Sequence, residues 1–162
     1  MKAAYILDNE VQVGDIADPV PGKGQAIVRT HSCGLCASDA HFLHSAQKAV
    51  ALSREYNGPY AALDLSRPFV PGHEFVGEVM DYGPGSKKKV KMGRRVTSLP
   101  VMLYTETTAV IGYDNHCPGG FGEYILLDEE LMLEIPDGLD DDRAAMTEPL
   151  AVGLEHARRG NP

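Results

Sequence analysis

Short strand-like runs of apolar residues, broken by polar turns and by glycine or proline, fill the first two-thirds of the chain. Lys2–Leu7 and residues 11–16 read as strands separated by Asp8-Asn9-Glu10. Pro19, Pro21, Gly22 and Gly24 interrupt the pattern before residues 25–31, where Ala26, Val28 and Thr30 alternate with Ile27 and Arg29. Residues 74–81, 95–99 and 123–127 supply three more strands. Many short strands with Gly/Pro punctuation predict a β-barrel or sandwich rather than alternating βαβ units.

Two stretches depart from the period of two. Residues 45–54, SAQKAVALSR, are good helix formers behind Ser45 as a cap. Residues 141–159 open on acidic side chains, close on Arg158-Arg159 and are followed by Gly160 and Pro162, the signals of a helix matched to its dipole. Pro149 lies inside this stretch and lacks an amide hydrogen, so a kink or break is expected near Glu148. No internal repeat or low-complexity segment occurs.

Charge and composition remove several classes of function. A chain of 162 residues is long enough to bury one full core. Its net charge of -8 leaves no basic stripe for a nucleic acid or an anionic membrane. The cationic run Lys87-Lys88-Lys89 with Lys91 follows Gly83-Pro84-Gly85 and reads as a solvated loop. The amino terminus turns polar at Asp8, before a signal-peptide core would be complete, and no apolar run approaches the ~20 residues of a membrane span. Three cysteines are too few for a disulfide scaffold. The expectation is a cytoplasmic protein whose cysteines serve metal or catalytic roles.

Several motifs fail on inspection. His73-Glu74 has Gly77 where a zincin helix needs its second histidine. Residues 137–148 have the length of an EF-hand loop, but Leu139 and Asp142 stand where a ligand and a glycine are required. Gly83-Pro84-Gly85-Ser86-Lys87-Lys88 lacks the third glycine of a dinucleotide fingerprint, and no P-loop is present. Cys33-x-x-Cys36 is ambiguous alone: a redox dithiol, half of a zinc knuckle, or one metal ligand beside a bystander.

Cys36, Pro71-Gly72-His73-Glu74 and Glu148-Pro149-Leu150 are each weak signals, but their order along the chain resembles the catalytic domain of the zinc-dependent medium-chain alcohol and polyol dehydrogenases. The likeness runs from Lys2-Ala3-Ala4 through Pro19-x-Pro21-Gly22-x-Gly24, Cys33-Gly34-Leu35-Cys36-Ala37-Ser38-Asp39-Ala40-His41 and Pro71-Gly72-His73-Glu74-Phe75-x-Gly77-x-Val79. It continues through Gly93-Arg94-Arg95-Val96, Gly119-Gly120-Phe121-Gly122-Glu123-Tyr124 and Thr147-Glu148-Pro149-Leu150-Ala151-Val152.

This resemblance implies a mainly β fold with helices: a GroES-like β-barrel catalytic domain over residues 1–162, with 44–67 as an insertion and 141–159 leading to an absent Rossmann domain. It implies one catalytic Zn2+ held by Cys36, His73 and a carboxylate from Glu74 or Glu148, with a fourth position open. Sequence leaves open which glutamate ligates and which holds the metal-bound water. Asp39 is implied behind the zinc-bound histidine. Ser38 and His41 fall at the family's proton-relay positions, with His41 at the outer end. Cys33 matches a small buried neighbour.

The family's four-cysteine structural zinc lobe is not expected, since residues 100–118 contain only Cys117; the lobe is expected to be metal-free and loosely held. The resemblance also implies NAD or NADP in the full-length protein, a small-molecule alcohol or carbonyl substrate, and homo-oligomers formed through the Rossmann half. Without that half the chain is expected to be inactive alone. Three other readings stand beside this one: a metal-free GroES-like binding or assembly module, a zinc-independent quinone reductase of the same superfamily, and a thiol redox protein.

Overall fold

The computed structural model describes residues 1–103 and 109–160. Its strands, in chain order, are β1 (Lys2–Leu7), β2 (Glu10–Asp15), β3 (Gln25–Gly34), β4 (Glu74–Tyr82), β5 (Arg95–Ser98), β6 (Val101–Met102), β7 (Ala109–Val110), β8 (Tyr124–Asp128) and β9 (Met132–Glu134). Three helices complete it: α1 (Ala37–Tyr56), α2 (Asp141–Ala145) and α3 (Thr147–Gly160). Five strands form one sheet in the order β8-β3-β4-β5-β9, while β1-β2 and β6-β7 pair separately. Every ladder among the described residues is antiparallel, so they contain no doubly wound parallel sheet.

Alternation along the strands builds the core. Ala26 and Val28 of β3 are fully buried, as are Val96 of β5 and Ile125 and Leu127 of β8, with Phe75 and Val79 of β4 almost so. These side chains meet in one cluster that also takes in Met102, Ala109, Ile111 and Cys117. Two register shifts in the β3–β4 ladder, at Ile27/Val28 and Thr30/Ser32, add local twist to the central pair of the sheet. The 100–118 segment is therefore not loosely held in its described part: Met102 and Ile111 are inaccessible to solvent. Lys87 and Lys89, at the loop read as solvated, both reach the Glu130 carboxylate.

The helix expected at 45–54 begins eight residues earlier, at Ala37, and Ser45 is a kink with non-helical dihedrals inside it. The extra turns form because Cys36 stands at the N-cap with Asp39 three residues on, and Asp39 Oδ2 accepts the Cys36 amide hydrogen at 3.0 Å. Asn57 ends the helix in the left-handed conformation. The chain then folds back beneath it, where Arg54 donates to the Ala61 and Leu63 carbonyls. Phe42, Ala46 and Val50 of α1 pack with Ile6, Leu63, Phe69 and Tyr113 in a second core. The 44–67 stretch is thus half helix and half packed loop.

The 141–159 stretch is two helices, broken at Met146 rather than at the proline. Asp140 caps α2, accepting the Arg143 amide hydrogen at 2.9 Å. Pro149 is the third residue of α3, where an amide hydrogen has no intrahelical acceptor, so the proline opens the second helix without bending it. Ala144 and Ala145 of α2 pack against Val76 and Ile135, whereas no side chain of α3 is buried.

Candidate metal centre

The end of β3, the start of α1 and the start of β4 converge, and three donors come from the α1 and β4 ends. Cys36 caps α1, His73 immediately precedes β4, and Glu74 is the first residue of β4. One ligand atom from each of these three side chains lies within 4.8 Å of the other two. This is the one such trio among the described residues.

Two glycines make the convergence sterically feasible. Gly34 pairs with Glu74 across the β3–β4 ladder, and a Cβ at Gly34 would stand 2.2 Å from Glu74 Oε2. Gly72 has φ of +100°, and a Cβ there would meet Cys33 Sγ at 2.9 Å and the Phe121 amide nitrogen at 3.0 Å. A side chain at Gly34 would crowd Glu74, and one at Gly72 would crowd Cys33 and the Gly120-Phe121 backbone beside His73.

Asp39 organises the polar side of the centre. It is 4% exposed, and its Oδ1 accepts the Tyr113 hydroxyl hydrogen at 2.7 Å while its Oδ2 holds the Cys36 amide. The same Oδ1 lies 3.7 Å from His73 Nδ1, an ion-pair distance rather than a hydrogen bond. His73 Nδ1 is buried and has no hydrogen-bond partner. Burial alone would lower the basicity of His73, but the Asp39 carboxylate and Cys36 outweigh it and push the imidazole up to about 9. For Asp39 burial acts to raise the carboxyl, and His73, Tyr113 and the Cys36 amide together hold it below its ordinary range. Desolvation, with Asp39 beside it, raises the Tyr113 phenol, which stays protonated as a donor.

Ser38 Oγ is 2.9 Å from Tyr113 Oη. His41 is exposed on α1 and has no hydrogen-bond partner among the described residues, so the structure does not link it to Ser38. Glu148 lies outside the close trio, half-buried near the start of α3. Desolvation raises its carboxyl, His73 opposes this and Glu74 adds to it, so Glu148 senses the charges of the centre without joining it. Glu148 also borders an apolar hollow of about 350 Å³ with Leu99, Leu133, Ala151 and Val152.

The two cysteines of Cys33-x-x-Cys36 have different surroundings. All three cysteines are free thiols. Cys33 Sγ is packed against the Gly72 and Gly120 backbone, and burial pushes its thiol up to about 12. It is not in the trio. Cys117 is buried in the barrel core and is likewise pushed up to about 12 by desolvation.

A thiolate, an imidazole and a carboxylate within reach of one another fit a borderline-soft divalent ion. Ligands around a tetrahedral zinc with bonds of about 2.0–2.3 Å stand about 3.3–3.8 Å apart, so a spread of 4.8 Å needs only a small inward settling. The buried, unpartnered His73 Nδ1 facing Asp39 supports the same fit, since metal-bound imidazoles turn their other nitrogen towards a carboxylate. Tyr113 and Gly34 were not singled out as site residues from sequence; Gly34 carried a readable signal, being a glycine inside a strand-like run beside Cys36.

Comparison with known proteins agrees with this architecture. A (R,R)-butanediol dehydrogenase of Bacillus subtilis (strain 168) is 29% identical over 98% of this chain and 47% of its own length. A sorbitol dehydrogenase of Halalkalibacterium halodurans is 32% identical over 83% of this chain and 38% of its own. The chain also covers 99% of its own length and 48% of the crystal structure of 2R,3R-butanediol dehydrogenase from Bacillus subtilis, at 28% identity and a TM-score of 0.75. The chain therefore spans less than half the length of these relatives. The alcohol dehydrogenase GroES-like domain matches residues 22–137 and so takes in β3, β4, the Cys36-His73-Glu74 trio and Tyr113. With most of its length inside that match and its fold shared over nearly the whole chain, this protein belongs to the alcohol dehydrogenase GroES-like domain family.

Proposed function

We propose that this chain is the catalytic metal-binding domain of a zinc-dependent dehydrogenase acting on a small alcohol or its carbonyl partner, with a polyol or diol the favoured class. The observation that carries the reading is the convergence of Cys36, His73 and Glu74 within 4.8 Å, backed by the Asp39 carboxylate on the far side of His73. Relatives named butanediol and sorbitol dehydrogenase support the substrate class.

In this reading Cys36, His73 and Glu74 hold one Zn2+, and no structural zinc is used, because residues 100–118 offer a single thiol, Cys117, buried among apolar core side chains. When bound, the ion supplies Lewis-acid chemistry, lowering the pKa of an alcohol or polarising a carbonyl. Asp39 keeps the imidazole oriented and electron-rich. Ser38 offers its lone pairs towards the site, since its own hydrogen goes to Tyr113. His41 serves as an exposed proton acceptor once substrate and cofactor complete the path. Glu148 stands by as an alternative carboxylate that can exchange with Glu74.

The hydride acceptor is NAD or NADP, bound by a nucleotide-binding domain beyond the residues described, with residues 141–159 leading towards it. Residues 1–162 act as one domain, in which the 44–67 insertion carries Tyr60 towards Cys36. The full-length protein works in the reducing cytoplasm as a homo-oligomer. Among the described residues no helix is long and apolar enough to cross a membrane.

The test is saturable zinc uptake by the purified chain, followed by competition with a chromophoric chelator. One ion per chain is the expected result. No saturable uptake contradicts the reading and favours a metal-free binding module.

A further inference from the structure

We propose that Tyr113 is a positioning residue of the metal centre, its phenol fixing the Asp39 carboxylate against His73 and setting the direction of the Ser38 hydroxyl. This rests on the metal-centre reading above.

The Asp39 carboxylate is held from two sides. Its Oδ2 accepts from the Cys36 amide, a contact local to the start of α1. Its Oδ1 accepts from Tyr113 at 2.7 Å, a contact made across 74 residues of chain. Oδ1 is also the oxygen that faces His73 Nδ1. Without the phenol, the carboxylate would be free to swing about its single remaining anchor, and the imidazole it steers would follow.

Tyr113 is itself rigidly placed. It is 3% exposed, its ring centroid lies 4.4 Å from that of Phe42 and 5.4 Å from that of Tyr60, and it approaches the His73 ring at 5.6 Å. Its amide hydrogen goes to the Val110 carbonyl in the turn after β7. The 100–118 lobe, expected from sequence to be metal-free and loosely held, thereby reaches the centre through Tyr113.

Counting hydrogens fixes Ser38 as well. A phenol has one hydrogen, and an ionised carboxylate only accepts, so that hydrogen belongs to Asp39. The 2.9 Å contact must then be Ser38 donating to Tyr113 Oη. Ser38 is left as an acceptor, the role needed to take a hydrogen bond from an alcohol.

The experiment measures zinc affinity by chelator competition, with the cobalt(II) absorption spectrum as a second readout. It compares wild-type chain, Tyr113→Phe, Asp39→Asn and the double variant. Tyr113→Phe keeps the ring and its packing. It is expected to weaken zinc about tenfold or more and to move the cobalt d–d bands, with the far-ultraviolet circular dichroism unchanged. In the Asp39→Asn background the same deletion is expected to change affinity by no more than about twofold, because the two groups act as a unit. Should Tyr113→Phe not fold, 3-fluorotyrosine at position 113 carries the test, since it keeps the ring and hydroxyl and changes only the donor strength of the phenol. A shifted zinc affinity with shifted cobalt bands supports the proposal, and wild-type values of both overturn it. Wild-type affinity in Tyr113→Phe, or an equal loss in both backgrounds, overturns it while leaving the metal centre intact. No zinc uptake by the wild-type chain removes the metal centre and the proposal together.

Discussion

Gly34 faces Glu74 across the β3–β4 ladder so closely that a Cβ on Gly34 would lie 2.2 Å from Glu74 Oε2. The absence of a side chain on β3 is what allows a carboxylate on β4 to stand beside Cys36 and His73. Gly34→Ala is therefore expected to displace Glu74, weakening zinc about tenfold. Overpacking should cost about 1–3 kcal/mol of stability. Chelator competition and urea unfolding measure the two effects; unchanged zinc affinity in Gly34→Ala would mean that Glu74 is not a ligand.

Thiol reactivity should separate the three cysteines. Cys33 and Cys117 are both pushed up to about 12 by burial, so neither forms thiolate near neutrality. Native, metal-free chain treated with iodoacetamide at pH 7.5 is expected to be alkylated at Cys36 alone, and zinc should protect it. Peptide mass spectrometry reads the sites. Rapid labelling of Cys33 would revive a redox role for the Cys-x-x-Cys pair.

Phe42 is the hub beneath the site: its ring meets Tyr113 at 4.4 Å, Tyr60 at 4.8 Å and Phe69 at 6.3 Å. Phe42→Ala is expected to destabilise the fold by about 3–5 kcal/mol through lost burial and a residual cavity. Because Ser38 and Asp39 ride on the same helix, zinc affinity should fall with it. Denaturant midpoints of the metal-free chain give the energy directly.

The docking of α2 should weaken in acid. Asp141 receives Arg95 at 2.5 Å and faces His31 Nδ1 at 3.1 Å, and Asp142 accepts from Ser32 at 2.8 Å. Burial would raise the Asp141 carboxyl, but Arg95 and His31 outweigh it and hold it below its ordinary value. A carboxyl lowered on folding stabilises above its unfolded pKa and loses that contribution as pH falls through the folded one. Asp141→Asn should thus remove about 0.5–1 kcal/mol near neutrality and nothing at the acid end, because the pair is partly exposed. Acid titrations followed by circular dichroism should converge for the two proteins; parallel curves would count against this role.

Local pattern carried much of the fold. Strands β1, β3, β4, β5 and β8 were legible as short apolar runs bounded by turn residues, with clear alternation in β3, and Asp8 and Asn9 sit at positive φ in the turn expected there. The first turns of α1 were hidden because Ser38, Asp39 and His41 read as chemistry, although Asp39 also serves the helix by accepting the Cys36 amide. The break in 141–159 fell at Met146 because a proline near a helix start is tolerated, and only the packing of Ala144 and Ala145 reveals where that start lies. Cys36, His73 and Glu74 were legible as types in a familiar order. Their tie to Tyr113 was not, since a contact spanning 74 residues leaves no periodic trace in the sequence.

The central claim is that Cys36, and not Cys33, belongs to a metal centre with His73 and Glu74. Zinc content per chain by elemental analysis, for wild type, Cys36→Ser and Cys33→Ser after reconstitution and desalting, tests it most directly. The account predicts about one zinc in wild type and in Cys33→Ser, and none in Cys36→Ser. Equal zinc in all three proteins, or none in any, would contradict it.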